Sequence, residues 1–110
     1  MKEIVDFLQT KKMIFKSLNS IDVKSLGSRK KIAIYLGVDL NKYYTCIFHI
    51  SKKSRILQKE ARELMLLHEK LETLNNSKIN KKCIYIQAPL CSKAKALMEE
   101  EKWIVWHEEN

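Results

Sequence analysis

Residues 31–50 decide how the chain is read. They run Lys31-Ile32-Ala33-Ile34-Tyr35-Leu36-Gly37-Val38-Asp39-Leu40, then Asn41-Lys42, then Tyr43-Tyr44-Thr45-Cys46-Ile47-Phe48-His49-Ile50. Both flanks are rich in β-branched, aliphatic and aromatic residues, which suit a pleated and half-buried surface. Asn41 tolerates the positive φ that tight turns need. The stretch therefore reads as a β-hairpin with two possible registers. A two-residue turn at Asn41-Lys42 pairs Leu40 with Tyr43 and sets Asp39 and His49 on opposite faces. A three-residue loop shifts the pairing by one and puts Asp39, Thr45, Ile47, His49 and Ser51 on one face.

Downstream, residues 56–74 have high helix propensity, with Leu57, Ala61, Leu64, Leu67, Leu71 and Leu74 along one face. Residues 75–82 form a polar loop. Residues 83–87 (CIYIQ) form a short, mostly apolar strand, as expected where both faces are covered. Pro89 stops it. Ser92 can cap a helix over 93–102, with Ala94, Leu97 and Met98 inward. Residues 103–107 (WIVWH) form the last strand. Upstream, Ile4, Phe7, Leu8, Ile14, Phe15 and Leu18 recur at helical intervals, broken at Lys11-Lys12, which fits one bent helix or two short ones. Asn19-Ser20 reads as a break with an N-cap, residues 21–26 as a helical turn, and Gly27 as its C-cap. The expected architecture is α/β: a helical N-terminal segment over 1–27, then β-β-α-β-α-β over 31–107. A four-stranded mixed sheet is flanked by helices, in one domain over 1–110. The last strand–helix–strand unit should be a right-handed parallel crossover.

Composition narrows the function. A chain of 110 residues suits one domain, and 45% hydrophobic residues exclude wholesale disorder. Two Gly and one Pro exclude collagen-like and loop-dominated scaffolds. Cys46, Cys83 and Cys91 show no CxxC spacing, so neither a disulfide framework nor a zinc site is expected. They read as small core residues, with Cys91 set before a helix N-terminus that would favour its thiolate. No apolar run reaches the roughly 18 residues of a membrane span, and the first residues do not resemble a secretory signal. The chain reads as reduced and cytoplasmic, with no membrane partner.

The net charge of +8 is unevenly placed: residues 1–60 carry thirteen Lys/Arg against five Asp/Glu, and residues 61–110 carry eight of each. Clustered positive charge attracts polyanions through counterion release. Arg29, Lys30 and Lys31 precede the first hairpin strand, and Lys52, Lys53 and Arg55 follow the second. Antiparallel pairing lays these two ends side by side, so one phosphate-contacting patch is expected, with Lys42 assisting from the turn. Tyr43, Tyr44, Trp103 and Trp106 could stack on bases, the tryptophans reading as core or interface residues. Glu99-Glu100-Glu101 should face solvent away from nucleic acid.

Residues 31–107 resemble the PD-(D/E)XK, or restriction-endonuclease-like, superfamily. The resemblance rests on the hairpin with Gly37-Val38-Asp39-Leu40, the strand running from Ile47-Phe48-His49-Ile50 into Ser51-Lys52-Lys53-Ser54-Arg55 and a long helix, and the closing strand–helix–strand after Cys83. It implies duplex DNA as the partner and an Asp plus an acid-x-Lys pair holding magnesium. The aligned triplet here is His49-Ile50-Ser51, so His replaces the acid and Ser replaces the Lys. A degenerate member that binds nucleic acid without a cofactor is expected. Two alternatives stand beside it. One is a protein-interaction module or homodimer using the N-terminal helix or the WIVWH edge. The other is a residual metal-dependent nuclease with Asp39 and His49 as catalytic residues, the one case in which magnesium would be needed. Otherwise, Asp39 reads as a turn residue and His49 as a hydrogen-bonded strand histidine.

Overall fold

The computed structural model describes residues 2–108. In chain order these form α1 (Lys2–Thr10), β1 (Phe15–Ile21), a 3-10 helix (Val23–Leu26), β2 (Ala33–Asp39), β3 (Tyr44–Ser51), α2 (Gln58–Asn75), β4 (Lys81–Gln87), α3 (Ser92–Glu100) and β5 (Trp103–Glu108). The five strands lie in the sheet in sequence order. The β1–β2 and β2–β3 pairs are antiparallel; β3–β4 and β4–β5 are parallel.

The hairpin takes the longer loop. Asp39 N–H donates to the Tyr43 carbonyl and Lys42 N–H to the Asp39 carbonyl, both at 3.0 Å. Leu40, Asn41 and Lys42 thus form the loop, and Lys42 supplies the left-handed residue at φ 69°. Pairing runs from Val38 with Tyr44 to Ala33 with His49.

Alternation along the strands then sorts the core into two layers. Ile34, Cys46, Phe48, Ile50, Ile84 and Ile86 face α2, α3 and the 3-10 helix. Tyr35, Ile47, Cys83 and Tyr85 face α1, which buries Ile4 and Leu8 against them. Residues 83–86 are buried throughout, as their unbroken apolar run implies. The apolar face of α1 is therefore covered by its own sheet rather than offered to a partner.

Three expectations are corrected. Residues 15–21 form strand β1, not helix, so the sheet has five strands and the segment 1–27 is only partly helical. The cause is a bulge: the β1–β2 register shifts between Phe15 and Ser17. It brings Phe15 and Leu18 onto the α1 side, while Ile21 packs on the other layer. An interval of three in a bulged strand imitates a helix. Asn19-Ser20 lie inside β1, and Asp22 caps the 3-10 helix by accepting from Lys24 N–H at 3.0 Å; Gly27 ends it at φ 73°. Cys91, not Ser92, occupies the cap position of α3.

Candidate nucleic-acid interface

The two basic runs meet as antiparallel pairing requires. Arg29, Lys30 and Lys31 lead into β2, and Lys52, Lys53 and Arg55 leave β3, at the end where Ala33 pairs with His49. Glu60, in the first turn of α2, ties them together. It accepts from Lys30 Nζ at 3.3 Å and also from Lys52 Nζ. Lys30 additionally reaches Glu63 at 3.1 Å. Burial pushes the Glu60 carboxyl up, but the hydrogen bonds and charges of Lys52 and Lys30 outweigh it, and the net shift is down. Desolvation works against the Lys30 ammonium, yet Glu63 and Glu60 leave its pKa raised. Arg29, Lys31, Lys53 and Arg55 are exposed. Lys30, Lys52, Arg55 and Lys59 line one cleft with Glu60 and Glu63. The sequence reading missed Lys59, although its place in the first turn of α2 after a basic run would have pointed to it. It also missed Glu60, because nothing local says that an acid will reach back across a loop.

Lys42 does not join this group. It sits in the hairpin loop, at the other end of β2 and β3. Strand β3 has eight residues and rises about 3.3 Å per residue, so the separation is on the order of 20 Å.

Asp39 and His49 share a face but not a site. The observed register is the one that puts both on the α1 side, yet Asp39 pairs at the turn and His49 at the far end of the hairpin. Asp39 Oδ1 accepts from the backbone N–H of Asn41 at 2.8 Å and of Tyr43 at 2.9 Å, which makes it a turn residue. His49 Nε2 lies 2.7 Å from Gln87 Oε1 and 3.5 Å from Glu3 Oε1. Its ring stacks on Tyr85 at 4.9 Å and 9°. Tyr85 in turn donates its hydroxyl to Glu108 at 2.8 Å and stacks on Phe7. Burial and then Glu108 push the Tyr85 phenol up to about 12.

Gln87 is brought beside His49 by the parallel β3–β4 register, which sets the end of CIYIQ opposite Ser51. Neither Gln87 nor Glu3 carried a signal in the sequence. These residues do not fit magnesium. The residue opposite His49 is Ala33, Ser51 stands where the resemblance places a Lys, and among the described residues Glu3 is the one carboxylate paired with the imidazole. Among the described residues no group of three or more His, Cys, Asp or Glu is placed to hold a metal ion.

The remaining sequence candidates divide cleanly. Trp103 is buried, tilted against Phe48 at 5.1 Å, and Trp106 meets Phe7 edge-on at 5.3 Å, so both tryptophans serve packing. Tyr43 is 55% exposed. Burial holds the Cys46 thiol far above its ordinary value and pushes Cys83 up to about 12. The backbone amides of Ala94 and Lys93 favour the Cys91 thiolate. No helix among the described residues is long and apolar enough to cross a membrane.

No family model matches the chain, and no curated protein is detectably similar in sequence. Solved structures do match in fold. The apo form of EndoMS superposes with a TM-score of 0.58 at 18% identity, over 99% of this chain and 46% of that one. An EndoMS–dsDNA complex gives 0.56 at 16% identity, over 98% and 44%. A repair endonuclease from Pyrococcus abyssi gives 0.50 at 16% identity, over 86% and 39%. The chain thus shares an α/β fold with these proteins and spans less than half the length of each.

Proposed function

We propose that this chain binds nucleic acid, with duplex DNA favoured, on a degenerate restriction-endonuclease-like fold that has lost magnesium-dependent cleavage. The observation that carries the reading is the convergence of residues 29–31 and 52–55 at one end of the hairpin. Lys and Arg at that density neutralise phosphates and release counterions. Arg29, Lys31, Lys53 and Arg55 make the outer contacts. Lys30 and Lys52, held by Glu60, shape the cleft beside them. The fold shared with DNA repair endonucleases supports duplex DNA over RNA. The loss of cleavage rests on the donor set around His49, where Ala33 and Ser51 supply neither the second carboxylate nor the lysine.

The test is a titration of the full chain against labelled duplex DNA, single-stranded DNA and RNA. It is run at about 50 and about 200 mM salt, a range over which several phosphate contacts change affinity by orders of magnitude. A parallel reaction contains magnesium. Salt-sensitive binding that favours duplex, with no products, is the expected result. Products abolished by His49→Ala would instead establish a residual nuclease. Absence of binding at the lower salt would overturn the proposal and put a protein partner first.

A further inference from the structure

The basic end of the hairpin is not the whole of the positive surface. From residue 11 to residue 31 the chain carries seven Lys/Arg and one acid, Asp22. This run forms the loop after α1, strand β1, the 3-10 helix and the lead into β2. Strand β1 is an edge of the sheet, and along it Lys16, Ser17, Asn19 and Ser20 are exposed, followed by exposed Lys24. It begins beside the hairpin turn, where Phe15 pairs with Asp39, and ends beside the basic end, where Ile21 pairs with Ile34. The edge therefore joins Lys12 and Lys42 at one end to Arg29 and Lys31 at the other. Lys12, Leu40 and Lys81 share a cleft with Asp39 between the α1–β1 loop and the turn. The nearby acids are engaged: Asp22 accepts from Lys24 N–H, and Asp39 from Asn41 and Tyr43 N–H. At the turn Ile14 and Leu40 are 69% and 67% exposed, apolar tips among lysines that suit sugar and base edges.

We infer that the β1 edge is the surface on which a duplex lies, with phosphates contacted at both of its ends. This deepens the nucleic-acid reading and rests on it. The complementarity is of charge and of length. The seven residues of β1 span about 23 Å at ~3.3 Å per residue, and a B-form duplex rises about 3.4 Å per base pair, so the edge matches about seven base pairs. Lys16, exposed on this edge strand, also opposes pairing with another sheet, which leaves the edge to a polyanion.

The experiment compares two variants with equal loss of charge in the full chain. Lys12→Gln/Lys16→Gln/Lys24→Gln removes cations along the edge. Lys93→Gln/Lys95→Gln/Lys102→Gln removes them around α3, beside the opposite edge strand β5. All six side chains are exposed, and circular dichroism checks that both variants fold. Affinity for a duplex of about twelve base pairs is read by anisotropy across salt concentrations. The edge variant should bind at least about tenfold more weakly at low salt, and its log–log salt slope should shrink by about 0.9 for each phosphate it no longer neutralises. The α3 variant should bind as the unaltered chain does. If the unaltered chain binds duplex and the two variants weaken alike, charge acts diffusely and the edge assignment is overturned while the nucleic-acid reading stands. If the unaltered chain binds phosphatidylserine vesicles but no duplex, both fall.

Discussion

Gly37 shows what a single atom costs at the centre of the β1–β2 pair. A Cβ built there would lie 2.7 Å from Phe15 Cδ1 and 3.2 Å from Leu18 Cδ1. Gly37→Ala forces the Phe15 ring to shift, and overpacking of this kind costs about 1–3 kcal/mol, readable by urea denaturation. Adding Phe15→Leu should recover part of the loss. Glu60 is the second decisive residue, because one carboxylate holds two lysines of the basic cleft. Its folded-state pKa lies below the ordinary value of 4.5. Its contribution to stability is therefore complete above that value and is lost as pH falls through the lower, folded-state one. Glu60→Gln should flatten the acid limb of the stability–pH curve. The same substitution removes a negative charge that competes with phosphate for Lys30 and Lys52. Duplex affinity should rise about threefold to tenfold at low salt, equivalent to about 1 kcal/mol. An unchanged or weaker affinity would place these lysines in structure alone.

Among the elements, α1 carries the whole second layer of the core. Leu8 is 2% exposed, and Phe7 stacks on Tyr85 at 3.7 Å. Leu8→Ala should destabilise the fold by about 2–5 kcal/mol. It should also expose the Tyr35–Ile47–Tyr85 face, seen as faster amide exchange in β3 and β4 than in α2. How far the elements were legible follows from their periods. The hairpin, α2, β4, α3 and β5 all declare themselves through apolar β-branched runs or a sustained helical stripe, and their bounds come out within two residues or so. Strand β1 does not, because a bulge replaces the period of two with an interval of three. The site divides along the same line. Meeting of the two basic runs follows from antiparallel pairing and could be read from the hairpin alone. The separation of Lys42, in the turn, from the patch at the open end follows from the same pairing, whereas the counter-charge of Glu60 and the contact of Glu3 and Gln87 with His49 depend on tertiary placement.

At the scale of the whole molecule, the sheet sets Ala33 opposite His49 and Ser51 on the same face, so neither position brings a second carboxylate to the imidazole. Magnesium should therefore add no more to thermal stability than an equal ionic strength of sodium, because a ligand stabilises only by binding the folded state. A specific rise in melting temperature with magnesium would mean that the described residues hold the ion in a way their spacing does not suggest. The odd length of the Leu40-Asn41-Lys42 loop has a wider consequence. Strands β2 to β5 each serve two cores, one through their odd and one through their even positions. A one-residue deletion in the loop, if absorbed by sliding β3 along β2, would exchange the sides of every β3 residue and send both cores' contents to the wrong layer together. A two-residue change would keep each side chain in its layer. The turn thus decides which layer each β3 side chain fills: where the pairing slides, only even changes in loop length keep both layers intact, and position 42, at φ 69°, also calls for a residue that tolerates the left-handed region.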